Sequence, residues 1–313
     1  LSNREFIYTY SGHRDEYDLC RMEMRSFFGF DVLSNVLKST IEIDPSRSPF
    51  MKERLEVIYE GDSFEQIADL VEQLDLDHAT FKVVCLNDSE LGSMKKVGHS
   101  KRREIERNIG LRIKGEPDLE QPETVFGVVM IDNKWYFGKL EVSEPIWLHH
   151  QQKPHMYSTA LNTRVARAVA NIAVPHPNGV RAIDPCCGIG TVLVEALSMG
   201  IDIVGRDINR RVVLGSRKNI AHFGLEGNVT TGPISEIEDN YDVAIIDMPY
   251  NLFTHITVEE QLDIVKQARR FTKKVVIVTI DTMDHMVEEA GFEIIDRCEA
   301  RKGTFARQVL VCK

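Results

Sequence analysis

Three short stretches carry side chains that suit a bound cation and a reacting amine. The first is Asp184-Pro185-Cys186-Cys187-Gly188-Ile189-Gly190-Thr191, with two glycines behind a carboxylate. Gly188 and Gly190 let the backbone turn tightly and approach a ligand. This is not the dinucleotide fingerprint, since Leu193 stands where its third glycine belongs. Asp184 suits a cationic ammonium better than a pyrophosphate. The second stretch ends Val204-Gly205-Arg206-Asp207-Ile208. An acid about 20 residues beyond the glycines can accept both hydroxyls of a ribose; it can also cap the next helix, and the two roles are compatible. The third is Ile245-Ile246-Asp247-Met248-Pro249-Tyr250. An amine conjugated to a purine ring is a poor nucleophile because its lone pair is delocalised. Asp247 and the Met248 carbonyl offer acceptors for its N–H groups, Pro249 stiffens the loop, and Tyr250 presents a face for stacking. The same letters in isolation could be a plain strand exit, so their place in a sheet decides.

That place is set by the rhythm of the second half. From Asn162 a helix with Val165, Val169 and Ile172 leads into strand 180–185, helix 191–199, strand 201–208 and helix 210–223, closed by Gly224. Strands 229–231, 243–247 and 275–280 follow, with helices 258–271 and 283–290. Segments 292–298 and 305–311 have no helix between them and read as an antiparallel pair. Strands alternating with helices imply a doubly wound, mainly parallel α/β sheet with an antiparallel edge. In such sheets ligands bind beyond the carboxyl ends of the strands, where all three stretches lie.

The first half is less regular. Phe6–Tyr10 reads as a strand and Asp15–Phe28 as a helix closed by Gly29. Leu55, Val57 and Tyr59 alternate as a strand; a helix from Phe64, capped by Asp62 or Ser63, and strand 81–86 follow. His99–Ile109 reads as a helix burying Ile105 and Ile109 and ending at Gly110. Strands 125–131 and 135–140 flank a turn at 132–134. Ser143–His155, with Pro145, Pro154 and three histidines, breaks the pattern and reads as a linker. No Cys or carboxylate cluster accompanies these histidines, so no metal site is assigned.

The 313 residues suffice for two domains, and their formal net charge is −10. Basic residues are nonetheless concentrated: Lys95, Lys96, Lys101, Arg102, Arg103 and Arg107 in one segment, Arg301, Lys302 and Arg307 near the end. Local potential, not the total, governs binding to a polyanion, although a solvated helix face is the plainer reading of the first cluster. The six cysteines form no C-x-x-C pair, and reduced thiols in a cytoplasmic protein are expected. No apolar run approaches the roughly 20 residues of a membrane helix, so no membrane association is expected.

The chain resembles a known family. Asp184–Thr191 is similar to methyltransferase motif I, and Asp247–Tyr250 to the [DN]-P-P-[YFW] motif of amino methyltransferases. Residues 153–173 resemble the segment before the catalytic domain of THUMP-containing tRNA guanine-N2 methyltransferases. Arg102–Gly110, with Pro117-Asp118-Leu119 and Pro122, resembles the THUMP domain, and Glu16–Glu23 the ferredoxin-like segment preceding it. The resemblance implies a ferredoxin-like segment over 1–60, a THUMP domain over 61–142, a linker over 143–158 and a Rossmann-like, seven-stranded methyltransferase domain over 159–313. It is nearest to enzymes acting on the N2 amine of guanosine 10.

S-adenosylmethionine is then the implied cofactor, held by Asp184, Cys186, Gly188, Gly190, Thr191, Asp207 and Ile208, with Tyr157 and Ser158 at its methionine end. The implied partner is tRNA, and a monomer is expected. Two departures stand out. Met248 replaces the first proline of the catalytic motif, and Thr231-Gly232-Pro233-Ile234 lacks the acid that often contacts the adenine amine, leaving that contact to the backbone near Pro233 and Ile234. Competing readings are N6-adenine methylation by the same loop and a tRNA-binding protein with a decayed catalytic half.

Overall fold

The structure, a computed structural model, describes residues 4–31, 33–86, 98–157, 160–249, 256–302 and 305–313. Along the first half run β1 (Phe6–Tyr10), α1 (Tyr17–Phe28), β2 (Val36–Ser39), β3 (Met51–Gly61) and α2 (Phe64–Val71). They are followed by β4 (Asp75–Cys85), α3 (His99–Gly110), β5 (Lys114–Pro117), β6 (Thr124–Ile131) and β7 (Lys134–Val142). The second half has α4 (Thr163–Ala173), β8 (Arg181–Asp184), α5 (Thr191–Ser198), β9 (Asp202–Asp207), α6 (Arg210–His222) and β10 (Val229–Thr231). It closes with β11 (Val243–Asp247), α7 (Val258–Phe271), β12 (Val275–Thr279), α8 (Asp284–Glu289), β13 (Ile294–Lys302) and β14 (Phe305–Cys312).

The chain divides into two compact units. One comprises residues 1–11, 32–46 and 50–144; the other comprises 12–31, 47–49 and 145–313. The first is built on a sheet of order β2-β1-β3-β7-β6-β4-β5. Asp132 and Asn133, both at positive φ, form the two-residue turn between β6 and β7, so Lys134 already belongs to the strand. Such turns match the right-handed twist of paired strands. Ser63 caps α2 by accepting the Gln66 N–H, and Ile67, Ala68 and Val71 are buried beneath it. Two boundaries differ from the sequence reading. β4 begins at Asp75, ahead of Phe81, because its polar start pairs with β5 at the rim and needs no apolar alternation. Gly110 lies inside α3, whose C-cap is Leu111 with right-handed φ, so glycine does not stop that helix.

The second unit holds the sheet β10-β9-β8-β11-β12-β14-β13, seven strands of which β14 alone runs against the others, antiparallel to β12 on one side and β13 on the other. This is the expected mainly parallel Rossmann-like sheet. Helices on both faces explain why Ala244, Ile245, Ile246 and Val275–Val278 form uninterrupted apolar runs, all fully buried. Strand order reverses between β8 and β11, which opens a crevice at their carboxyl ends.

α1 belongs to this second unit although it lies far away in sequence. Its wholly buried Glu23 accepts hydrogen bonds from Ser48 Oγ and, at 2.7 Å, from Asn171 Nδ2 of α4. Burial pushes the Glu23 carboxyl up to about 7. Arg25 makes a bidentate pair with Asp296 at 2.6 and 2.7 Å. The stretch expected to be a linker contains a 3-10 helix, Ile146–Gln152, packed into the same unit. His150 is buried there, its Nδ1 2.8 Å from Glu195 Oε1, while Arg167 Nη1 donates to Glu195 Oε2 at 2.9 Å. It is thus a link in a buried hydrogen-bonded chain that includes the Arg167–Glu195 ion pair. No metal-ligand cluster and no helix long and apolar enough to cross a membrane occur among the described residues.

Candidate active site

The carboxyl ends of β8, β9 and β11 are Asp184, Asp207 and Asp247. All three line one cavity of about 840 Å3. Parallel neighbours in register bring them together: β8 pairs Asp184 with Gly205 of β9, and β11 continues the sheet on the other side.

Asp184 is 2% exposed and accepts the Cys186 N–H at 3.2 Å. Burial drives its carboxyl well above the usual range, opposed by that hydrogen bond and reinforced by the charges of Asp247 and Asp207. Asp207 accepts the Gly188 N–H at 2.9 Å on one oxygen and the Asn209 N–H at 2.8 Å on the other. Its carboxyl is also raised by burial, with the two N–H groups pulling the other way. The Asp207–Gly188 bond ties the end of β9 to the glycine loop. Gly188, at φ +51, has nothing within 4 Å of where a Cβ would stand, so the loop leaves space for a ligand. Gly190, at φ +78, behaves differently: a Cβ there would lie 2.2 Å from Ser216 Oγ of α6. It does not line the cavity, and its value lies in letting the loop close onto that helix.

Asp247 ends β11, half-buried at the cavity wall. Burial pushes its carboxyl up to about 7, with the Arg307 charge opposing the shift. Its Oδ1 has no hydrogen-bond partner among the described residues, an expensive condition unless a ligand donor completes it. Met248 points its side chain into the core with Ile246, Val265 and Ile277. Its N–H donates to the Val278 carbonyl at 2.8 Å, a bond that proline could not make. The departure from the two-proline pattern is therefore absorbed by packing, and Met248 still lines the cavity. Pro249 is held from behind: Gln261 Nε2, buried on α7, donates to its carbonyl at 3.2 Å.

Tyr157, Cys186, Thr191, Ile208, Pro233 and Ile234 line the same cavity. Ser158, Tyr250, Lys95 and Lys96 lie outside the described residues, as does the side chain of Lys302. Burial pushes the thiols of Cys186 and Cys187 far up, so neither is a ready nucleophile.

Sequence reasoning missed Glu259, Glu260 and Asp263 from the start of α7. The signal was available: Thr257 and Glu260 form a reciprocal capping box, which fixes the helix start after β11. With them the cavity carries six carboxylates and, among its described lining residues, no lysine or arginine.

This composition tests the implied cofactor. A dinucleotide would bring phosphates into an acidic cavity. S-adenosylmethionine brings an ammonium and a sulfonium, which would favour the ionised form of Asp184 against the burial and neighbouring acids that raise its carboxyl, and a ribose able to use Asp207. The residues fit it.

On α3, buried Ile105 and Ile109 leave Arg103 and Arg107 exposed, four residues apart on one face. Arg102 is half-buried, and Lys101 is paired with Glu104 at 3.1 Å. Arg301 is paired with Glu299 at 2.6 Å, and Arg307 packs over the Phe305 ring.

Residues 151–291 match the UPF0020 family model, an RMKL-like methyltransferase domain. Over 235 residues the chain is 27% identical to a tRNA (guanine(10)-N2)-dimethyltransferase of Methanothermobacter thermautotrophicus, covering 72% of this chain and 68% of that protein. A protein of the same description from Pyrococcus abyssi is 26% identical over 76% of this chain and 75% of its own. The human U6 snRNA (guanine-N(2))-methyltransferase THUMPD2 is 31% identical over 31% of this chain and 21% of its own length.

Proposed function

We propose that the chain is a THUMP-containing guanine-N2 methyltransferase and that it methylates the exocyclic N2 amine of a guanosine in tRNA, at position 10. One observation carries the reading: a buried carboxylate oxygen, Asp247 Oδ1, without a partner among the described residues, in a cavity lined by acids. When bound, S-adenosylmethionine supplies an activated methyl group on a positively charged sulfur.

The protein's own residues do the rest. Asp184 holds the ammonium, Asp207 the ribose hydroxyls, and Pro233 and Ile234 flank the adenine. Asp247 accepts an N–H of the acceptor amine through Oδ1, raising the lone-pair density on nitrogen and fixing its direction of attack. A carboxyl titrating near 7 can take the proton that the amine loses. The Met248 carbonyl is the second acceptor, and Gln261 steadies the loop through Pro249. The base enters unstacked, with the exposed ring of Tyr157 at the cavity rim.

Residues 61–142 serve as the RNA-binding THUMP domain and present Arg103 and Arg107 to the phosphate backbone. The setting is the cytoplasm, in keeping with six free cysteines. A guanosine of a small nuclear RNA is the second substrate reading, favoured by the human relative.

The test is to incubate the purified protein with S-adenosylmethionine and either transcribed tRNA or transcribed U6 RNA. Digestion to nucleosides and mass spectrometry then identify the product. N2-methylguanosine is expected from tRNA. N6-methyladenosine, or no transfer to either RNA, would overturn the reading.

A further inference from the structure

Asn219 is wholly buried on α6, outside the cavity lining, yet its side-chain amide is saturated with backbone partners. Oδ1 accepts the His155 N–H at 2.9 Å, while Nδ2 donates to the His155 carbonyl at 3.0 Å and to the Ile189 carbonyl at 2.9 Å. Only one orientation of the amide satisfies an N–H on one side and two carbonyls on the other. The same helix face is small: His155 packs against Gly215, and Ser216 stands where a Cβ at Gly190 would clash.

Two segments far apart in sequence are thus fastened by one side chain. Ile189 sits between the two glycines of the ligand loop, and His155 lies two residues before Tyr157 at the cavity rim. Neither segment is regular secondary structure at these positions, so no ladder of backbone bonds holds them. We infer that Asn219 is a positioning residue that clamps the 153–157 strap to the glycine loop and so shapes the cofactor cavity without touching what binds there. The inference rests on the cofactor reading above. It assigns to α6 a part in ligand affinity beyond packing: the amide substitutes for a strand neighbour, and its loss removes three bonds that join the two walls.

Asn219→Asp is the sharpest probe, because it preserves shape while turning a donor toward two carbonyls into an oxygen. S-adenosylhomocysteine affinity by calorimetry is expected to fall at least about tenfold. Deuterium exchange in a peptide containing His155 should accelerate by a similar factor. Arg25→Ala is the control: it removes a salt bridge elsewhere in the unit, and should lower thermal stability while sparing both readouts. A folded Asn219→Asp protein with affinity within twofold of wild type would overturn the inference, as would an equal loss in Arg25→Ala. Should the Asp variant not fold, exchange in the wild type decides: S-adenosylhomocysteine must slow it at His155, and an unchanged rate refutes the clamp. Failure of the wild-type protein to bind S-adenosylhomocysteine would instead remove the cofactor reading itself.

Discussion

Replacing Asp184 with Asn tests the electrostatic logic of the cavity most directly. The carboxyl is 2% exposed and raised by burial, with Asp247 and Asp207 adding like charge. Without ligand it is therefore protonated well above the usual range for Asp; a cationic ammonium needs it ionised, so binding must release a proton. The sign follows. The bound state holds fewer protons, so affinity rises with pH until the ligand-free carboxyl ionises by itself, then levels off. Stability of the ligand-free protein runs the other way. The unfolded carboxyl ionises near its ordinary value while the folded one does not, so this group lowers stability as pH rises from about 4.

Asn keeps the shape and a hydrogen-bonding oxygen but not the charge. A charge-assisted bond contributes about 1.5–3 kcal/mol, which corresponds to roughly 10- to 150-fold in affinity. Calorimetry with S-adenosylhomocysteine between pH 5.5 and 8.5 reads both effects: wild-type affinity should climb with pH, and the variant should bind weakly with a flatter profile. Equal affinities, or a wild-type profile falling with pH, would refute the assignment of Asp184 as the ammonium's partner.

Asp247→Asn should abolish methyl transfer while leaving cofactor affinity within a few-fold; in the wild type, single-turnover rates should rise with pH through about 7, as the burial-shifted carboxyl ionises. Met248→Pro, which restores the familiar two-proline motif, should nevertheless cost about 2–3 kcal/mol in denaturant unfolding. It removes the N–H bonded to Val278 and shrinks a fully buried side chain. Neutralising Arg103 and Arg107 together should flatten the dependence of tRNA affinity on salt by roughly 1.5 units in log–log slope, with S-adenosylhomocysteine affinity unchanged; an unaltered slope would make α3 a merely solvated face.

How much of this was legible in the residues depended on how local each signal was. The change of apolar period after Asn162 is a short-range pattern, and it placed β8 to β14 and α4 to α8 within a few residues. Knowing that ligands bind beyond parallel strand ends then brought Asp184, Asp207 and Asp247 together before any coordinates. The turn at 132–134, which the structure shortens to Asp132-Asn133, and a cap at Asp62 or Ser63, which it resolves to Ser63, were equally local signals.

What escaped were relations between distant residues. Nothing near Glu23 announces that it will be buried against Asn171, 148 positions away, or that α1 joins the second unit. His150 in a proline-flanked stretch looks like a linker residue until Glu195 and Arg167 close around it. Gly190 and Gly188 read as equals, yet one faces the cavity and the other the wall of α6. Glu259, Glu260 and Asp263 reach the cavity only because the start of α7 faces the strand ends. Periodicity and capping are written in neighbouring residues and survive in the sequence. Burial, ion pairing and the shape of a cavity arise only when the chain closes on itself, so the tertiary structure alone decides them.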